Sequence, residues 1–328
     1  MGYLEGRVAL RLSDSQWCCL CASITDAEYG GLCANLYCYS SLDAGVPLEN
    51  ILRQWAGIKE SLLSTRQTYL IRQFLPALQV IHHFMGKTED PLAEKGDIID
   101  YEEYARDALS RGDPSSTSSL KCIKIMLGYV FLDIEFAERN TVTCQEVYEM
   151  PPTYERIRVI YYCGLVAVQA AREGREVRKN RRKAQQVIKY LKQKVSESPH
   201  NCLNRLSLLQ AEFASLERKN KKAYEKFLIA MAIAKEKQDF MGHALSCERF
   251  YRHLLRLNER TEAKEYLIRS IQSYEKWGGM AKVVRLQDEM DREFGKGDCS
   301  ISQAWPSHVT AVGPRRVDSG LSCAQCPN

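Results

Sequence analysis

Residues 204–278 carry one helix-pair pattern twice. The stretch Ala223-Tyr-Glu-Lys-Phe-Leu-Ile-Ala-Met231 aligns with Ala263-Lys-Glu-Tyr-Leu-Ile-Arg-Ser-Ile271 at an offset of forty residues. Ala223 falls on Ala263, Phe227 on Leu267, Leu228 on Ile268 and Met231 on Ile271. The helices that precede them match more loosely, with Ala214 on Leu254 but Leu216 on Arg256. A unit of this size cannot bury its apolar face alone, so repetition at roughly 20–50 residues marks stacked units that bury a continuous core between neighbours. A chain built this way presents surfaces more than deep reactive pockets.

The rest of the chain, to about residue 295, reads as helix. Proline is sparse, and apolar residues recur at three- and four-residue steps. Thr25 or Asp26 caps a first helix to about Ser41, with Ala27, Leu32, Leu36 and Tyr37 turned inward. Leu48–Ser64 carries Leu48, Ile51, Leu52, Trp55 and Ile58 on one stripe. Thr68–Phe84 is apolar nearly all round and holds Pro76, which predicts a kink. After a polar loop at 86–100 come Tyr101–Leu109, Ser116–Leu132 and a helix from Asp133 to Met150, ended by Pro151 and Pro152. Tyr154–Arg172, Val177–Ser196, Cys202–Arg218, Lys221–Lys237, Met241–Leu257, Thr261–Trp277 and Met280–Phe294 complete about thirteen or fourteen helices. Asn220 and Arg260 mark the turns inside the repeated pairs, and short turns force antiparallel neighbours. Ala211, Ala214, Ala223, Ala230, Ala232 and Ala234 let backbones approach closely. The expected fold is therefore all-α, an α-solenoid of antiparallel helix pairs over 1–295. The Gly-, Ser- and Pro-bearing stretch 296–328 has no periodicity and reads as a disordered tail. The array also opens without a polar capping repeat, as a fragment of a longer protein would.

Composition narrows the function classes. The chain has 328 residues, 45% of them hydrophobic, and a net charge of +5. That is a milder basic excess than a dedicated nucleic-acid binder carries. Thirteen cysteines are an odd number with scattered spacing; Cys122, Cys163 and Cys247 fall on apolar faces, so free thiols in a reducing, cytoplasmic compartment are expected. The N-terminus lacks the apolar core of a signal peptide. The longest uncharged runs, such as Gln73–Gly86, are about fourteen residues, short of the roughly 20 that span a bilayer.

Several residue groups invite a chemical reading. Gly86-Lys87-Thr88 resembles the end of a phosphate loop, but Ile81 stands where the leading glycine is needed and a helix precedes it. His82 and His83 lack the flanking pattern of a phosphoacceptor; one is expected inside and the other at solvent. Cys323-Ala-Gln-Cys326, with Cys299 and His308, lacks a second ligand pair at zinc spacing, and Cys18-Cys19-Leu-Cys21 places adjacent thiols on different faces. No metal or cofactor is expected. Arg172–Lys183 holds seven basic residues against two acidic ones. Its members Arg178, Lys179, Arg181, Arg182 and Lys183 suit an acidic partner or a nuclear-import signal, yet without interleaved aromatics they do not suit base stacking. The plainer reading of this run is a solvated helix face. Asn201, Asn204 and Arg205, polar at a pair junction where packing does not need them, are the candidates for contact with a protein partner.

Finally, the chain resembles a known family. The residues that carry the likeness are Ser198-Pro-His-Asn-Cys-Leu-Asn-Arg205, Leu209-Gln-Ala-Glu212, Ala244-Leu-Ser-Cys-Glu248 and the ending Tyr274-Glu-Lys-Trp-Gly-Gly-Met-Ala-Lys-Val283, with Ala34-Asn-Leu-Tyr-Cys-Tyr39 and Phe84-Met-Gly-Lys-Thr-Glu-Asp-Pro91 earlier. Over about residues 20–292 it is similar to the tetratricopeptide-like helical region of large signalling proteins. In those, a serine/threonine-kinase-like domain and an AAA-type NTPase precede the helices, and GAF and histidine-kinase modules often follow. The resemblance implies a right-handed solenoid and a non-catalytic relay between an NTPase and a sensor kinase, with a peptide, a neighbouring signalling domain or a second copy of the chain as partner. Two other roles stay open: a part of a kinase whose catalytic domains lie outside this chain, and a helical regulator touching nucleic acid through Arg172–Lys183. The chain itself carries no kinase glycine loop, His-Arg-Asp or Asp-Phe-Gly triplet, and no phosphate loop.

Overall fold

The structure, a computed structural model, describes residues 27–142 and 154–295. Thirteen helices and no strand occur among them. In chain order they are α1 (Ala27–Asp43), α2 (Leu48–Ser64), α3 (Thr68–Met85), α4 (Tyr101–Ser110), α5 (Pro114–Val130), α6 (Ile134–Arg139), α7 (Tyr154–Arg172), α8 (Val177–Glu197), α9 (Pro199–Leu216), α10 (Asn220–Glu236), α11 (Phe240–Arg256), α12 (Arg260–Trp277) and α13 (Met280–Phe294). The tail, the capping residues Thr25 and Asp26, Cys18, Cys19 and Cys21, and Cys299, His308, Cys323 and Cys326 lie outside the described residues, as does the stretch to Pro152 that was expected to extend α6.

Helix ends explain the regularity better than side-chain periodicity does. Arg218, Gln238, Asn258 and Gly278 all take positive φ, at 58°, 58°, 63° and 91°. They stand twenty residues apart, one at the end of every helix from α9 to α12. Behind each, the next backbone N–H reaches back five residues: Lys219 to Ala214, Asp239 to Ala234, Glu259 to Leu254 and Gly279 to Tyr274. This left-handed cap satisfies carbonyls that the helix leaves open and reverses the chain within three residues. The turns thus sit at Arg218 and Asn258, whereas Asn220 and Arg260 already begin the next helices. Both α5 and α9 begin earlier than periodicity indicated, because Pro114 and Pro199 occupy the first helical turn, where a missing N–H costs nothing.

Packing follows chain order. The tightest partners are α11 with α12, α9 with α10 and α7 with α8; each of these pairs also packs on the following helix, and α7 touches α9 as α9 touches α11. Ala211, Ala214, Ala223, Ala230 and Ala234 are buried in these contacts, whereas Ala232 is exposed. Leu36 is also turned out, at 49% exposure, contrary to its expected inward face. At the other end α3, α5 and α13 come together: Phe84 on α3 meets Trp277 with ring centroids 4.8 Å apart and stacks on Phe131 at 5.5 Å. The first half of the chain therefore packs back on the last helices instead of trailing away from them.

Gln238 is exposed and bears a side chain in a conformation that glycine, found at the equivalent Gly278, adopts without strain. Gln238→Gly should raise stability by about 0.5–1 kcal/mol, since relief of the strain exceeds glycine's extra unfolded-state entropy. Urea denaturation of the two proteins checks this; a lower midpoint would contradict it.

Candidate functional site

The first candidate is a chain of buried charges running through the odd-numbered helices from α7 to α13. Glu212 on α9 accepts from Arg249 Nε of α11 at 2.8 Å and from Arg172 Nη2 of α7 at 2.7 Å. Arg249 also reaches Gln169 on α7 at 2.7 Å and lies over the Tyr129 ring of α5. Beside Arg249 in the chain, Glu248 accepts from Lys282 Nζ of α13 at 2.9 Å and from the Tyr274 hydroxyl at 3.2 Å. Lys282 then donates to the Val130 carbonyl at the end of α5, at 2.6 Å. Arg252 forks onto Glu289 at 2.8 and 2.9 Å. Burial alone would push the Glu212 carboxyl up; Arg249 and Arg172 outweigh it and hold it well below the usual carboxylate range. Burial acts in the same way on Glu248, where Lys282 and Arg252 prevail and its pKa is lowered.

The second candidate contains the residues that sequence reasoning selected for a partner. Arg205 is buried, and its guanidinium donates to the Asp43 carbonyl at 3.1 Å. Arg158 on α7 holds the Asp43 carboxylate at 3.2 Å and the Cys122 sulfur at 3.1 Å. Asn204 donates to Asp239 at 3.0 Å, and Asp239 caps α11 by accepting from Gly242 N at 2.7 Å. Gly45 lies against this cap: a Cβ there would fall 2.9 Å from the backbone nitrogens of Phe240 and Met241, so only glycine allows the approach. A cleft of about 30 Å³ remains, lined in part by Asp43, Tyr162, Asn204, Arg205, Asp239 and Trp277. That is room for one or two waters. Arg205 is thus engaged by the chain's own α1–α2 turn, with Asn204 beside it, and Asn201 is half-buried one helix turn earlier.

The third candidate is the basic run. Arg178, Lys179, Arg181 and Arg182 are exposed on the first two turns of α8, and Lys183 is half-buried. Lys179 pairs with Glu176 at 2.7 Å, and Arg181 pairs with Glu217 at the end of α9. The structure thereby separates the eight sequence-selected residues into an internal junction and an exposed edge.

Residue groups that look reactive are packed into inert forms. His243 Nδ1 lies 2.8 Å from Ser273 Oγ and 3.8 Å from Cys247 Sγ, an arrangement that could be mistaken for a nucleophile with its base. Burial pushes the Cys247 thiol up to about 12 and the His243 imidazole down to about 4. Both shifts favour the neutral pair, opposite to what thiolate activation needs. His83 is buried between Gln79 and Thr88, while half-buried His82 pairs with Asp97 at 2.5 Å. Gly86 is the left-handed cap of α3, at φ 75°, and Thr88 bonds His83, so Gly86-Lys87-Thr88 ends a helix instead of opening one around a phosphate. Among the described residues no group of three His, Cys, Asp or Glu side chains could hold a metal ion, and no helix is long and apolar enough to cross a membrane.

Sequence reasoning missed the buried charges. Their signal was present: Glu212 follows Leu208 and Leu209, and Glu248 follows Ala244 and Leu245, each at the three- and four-residue step that defines the buried stripe. A carboxylate on such a stripe needs a buried cation. No protein-family model, no curated protein and no solved structure matches this chain.

The buried imidazoles set the pH response. Burial lowers His83, His243 and His253 from 6.5 to about 4. Above 6.5 the folded and unfolded forms are both neutral; between 6.5 and 4 the unfolded chain takes up protons that the folded chain refuses, so stability falls as pH falls. Glu212 and Glu248, held low, contribute stability above 4.5 that is lost below it. Asp239, raised by burial, acts in the opposite sense, one carboxyl against three imidazoles. The urea midpoint should therefore hold above pH 6.5 and fall from there to pH 4, less steeply in His243→Gln. An unchanged midpoint across that interval would contradict the assignment.

Proposed function

We propose that the chain is a non-catalytic protein-interaction scaffold, built as a right-handed solenoid of antiparallel helix pairs. The observation that supports this most is the recurrence of polar contacts at the repeat spacing. Arg172 bonds Glu212 forty residues on, Arg249 bonds Glu212 across 37, Tyr224 bonds Glu262 across 38, and Tyr251 bonds Glu289 across 38. Each joins one unit to the next, as stacked repeats require. The family likeness extends the proposal: the array would sit between an NTPase and a sensor kinase, with a protein segment or a neighbouring signalling domain on its surface. Inertness of the Cys247–His243 pair and of the Gly86 cap weighs against reading the chain as a kinase fragment with chemistry of its own.

The test is purification of the full chain, followed by an assay of ATP turnover with magnesium and by in-cell crosslinking. No turnover above the buffer blank is expected, together with a discrete crosslinked protein partner whose yield is unchanged in Cys247→Ser. ATP turnover by the chain would overturn the proposal.

A further inference from the structure

The face that odd-numbered helices α7 to α13 present is largely covered by the chain itself, through Asp43, Tyr129 and Val130. A partner must then meet another part of the surface, and charge singles out one edge. From Val177 to Ser196, α8 carries eight basic side chains and no acidic one, and its first acid is Glu197. That exceeds the net +5 of the whole chain. The helix start faces these cations with the positive end of its own dipole, and its cations crowd one another at three- and four-residue steps. Arg178, Lys179, Arg181 and Arg182 are all exposed, and of these only Lys179, with Glu176, and Arg181, with Glu217, are paired with an acid.

The turn between α9 and α10 adds a second basic run. Arg218, Lys219, Lys221 and Lys222 are all exposed. Glu217 joins the two runs: its carboxylate is held by Arg181 from α8 and by Lys219 at 2.6 Å from the turn itself. Glu217 thus links the start of α8 to the turn that leads into α10. No carboxylate among the described residues pairs with Arg178, Arg182, Arg218, Lys221 or Lys222, which leaves five exposed cations on the two segments that Glu217 joins. Sequence reading saw only the first of these runs, because some forty residues separate it from the second.

We propose that this edge, formed by Arg178 and Arg182 of α8 with Arg218, Lys221 and Lys222 at the start of α10, is the docking site for an acidic polypeptide segment. The proposal rests on the scaffold reading and supplies its partner chemistry. Glu217 shows the mode of recognition, a carboxylate whose two oxygens are shared between one arginine nitrogen and a lysine. Between its cations α8 exposes Gln185, Gln186 and Gln193, which can bond a peptide backbone; its one aromatic, Tyr190, is half-buried with Lys194 over its ring, which disfavours stacking of a nucleobase.

The experiment measures binding of a fluorescein-labelled oligoglutamate peptide to the full chain by anisotropy. Three double reversals carry the same change in net charge: Arg178→Glu with Arg182→Glu on α8, Lys221→Glu with Lys222→Glu on α10, and Lys59→Glu with Lys87→Glu away from the edge. Salt-sensitive binding by the parent protein is expected, weakened about tenfold or more by each of the first two pairs and little by the third. All sites are exposed, so thermal midpoints should match that of the parent and confirm folding. No binding at low salt, equal loss in all three variants, or loss in the α8 variant alone would overturn the composite site. So would tighter binding of a labelled DNA duplex or of phosphatidylserine vesicles through the same residues. ATP turnover would defeat the scaffold reading while leaving these binding results intact, so the two failures are distinguishable.

Discussion

Two buried carboxylates, Glu212 and Glu248, hold this structure in register. Each is almost wholly out of water and each is answered from neighbouring helices: Arg172 and Arg249 around Glu212, Lys282 and Arg252 around Glu248. A buried ion pair adds little net stability compared with apolar packing, because desolvation offsets the attraction. Losing one partner is another matter, at about 3–5 kcal/mol, since a charge is then left buried alone. That asymmetry penalises any shift of one helix along the next, which alanine-rich faces such as Ala211–Ala214 and Ala230–Ala234 would otherwise tolerate. Small residues permit close approach; the charges select which approach is used.

The same charges account for how the first helices sit on the last. Lys282 bonds Glu248 on α11 and the Val130 carbonyl on α5 at once. Arg249 bonds Glu212 and covers Tyr129. At the α1–α2 turn, Arg158 and Arg205 together hold Asp43. A surface that an open repeat array would offer to a ligand is thus occupied by the chain's own α5 and α1–α2 turn. The exposed cations of α8 lie elsewhere, at an outer edge, where their mutual repulsion is left unanswered by any acid on that helix before Glu197.

Helix identity was legible in the sequence because apolar periodicity is local: Leu48–Ser64, Tyr154–Arg172 and Met280–Phe294 read directly as helices with those bounds. The starts of α5 and α9 were less legible because Pro114 and Pro199 look like breakers, although their place at a helix start is favourable. Turn positions were obscured because Arg218 and Gln238 are not glycine, and only the backbone shows that they share a conformation with Gly278. The candidate site was half legible. Arg178–Lys183 could be seen as a basic run, but Arg205, read as a polar residue that packing does not need, is in fact buried against Asp43. What each faces depends on contacts between distant segments, Asp43 with Arg205 and Arg181 with Glu217, which no local pattern encodes.

The central claim is that buried charges clamp the first helices onto the last, and hydrogen exchange on the full chain with Lys282→Met tests it most directly. The substitution keeps the apolar stem and removes the ammonium that joins Glu248 to Val130. Faster exchange confined to α3, α5 and α13, with α9 and α10 as protected as before, is the expected result. Uniform loss of protection across all helices, or no change in α5, would contradict the account.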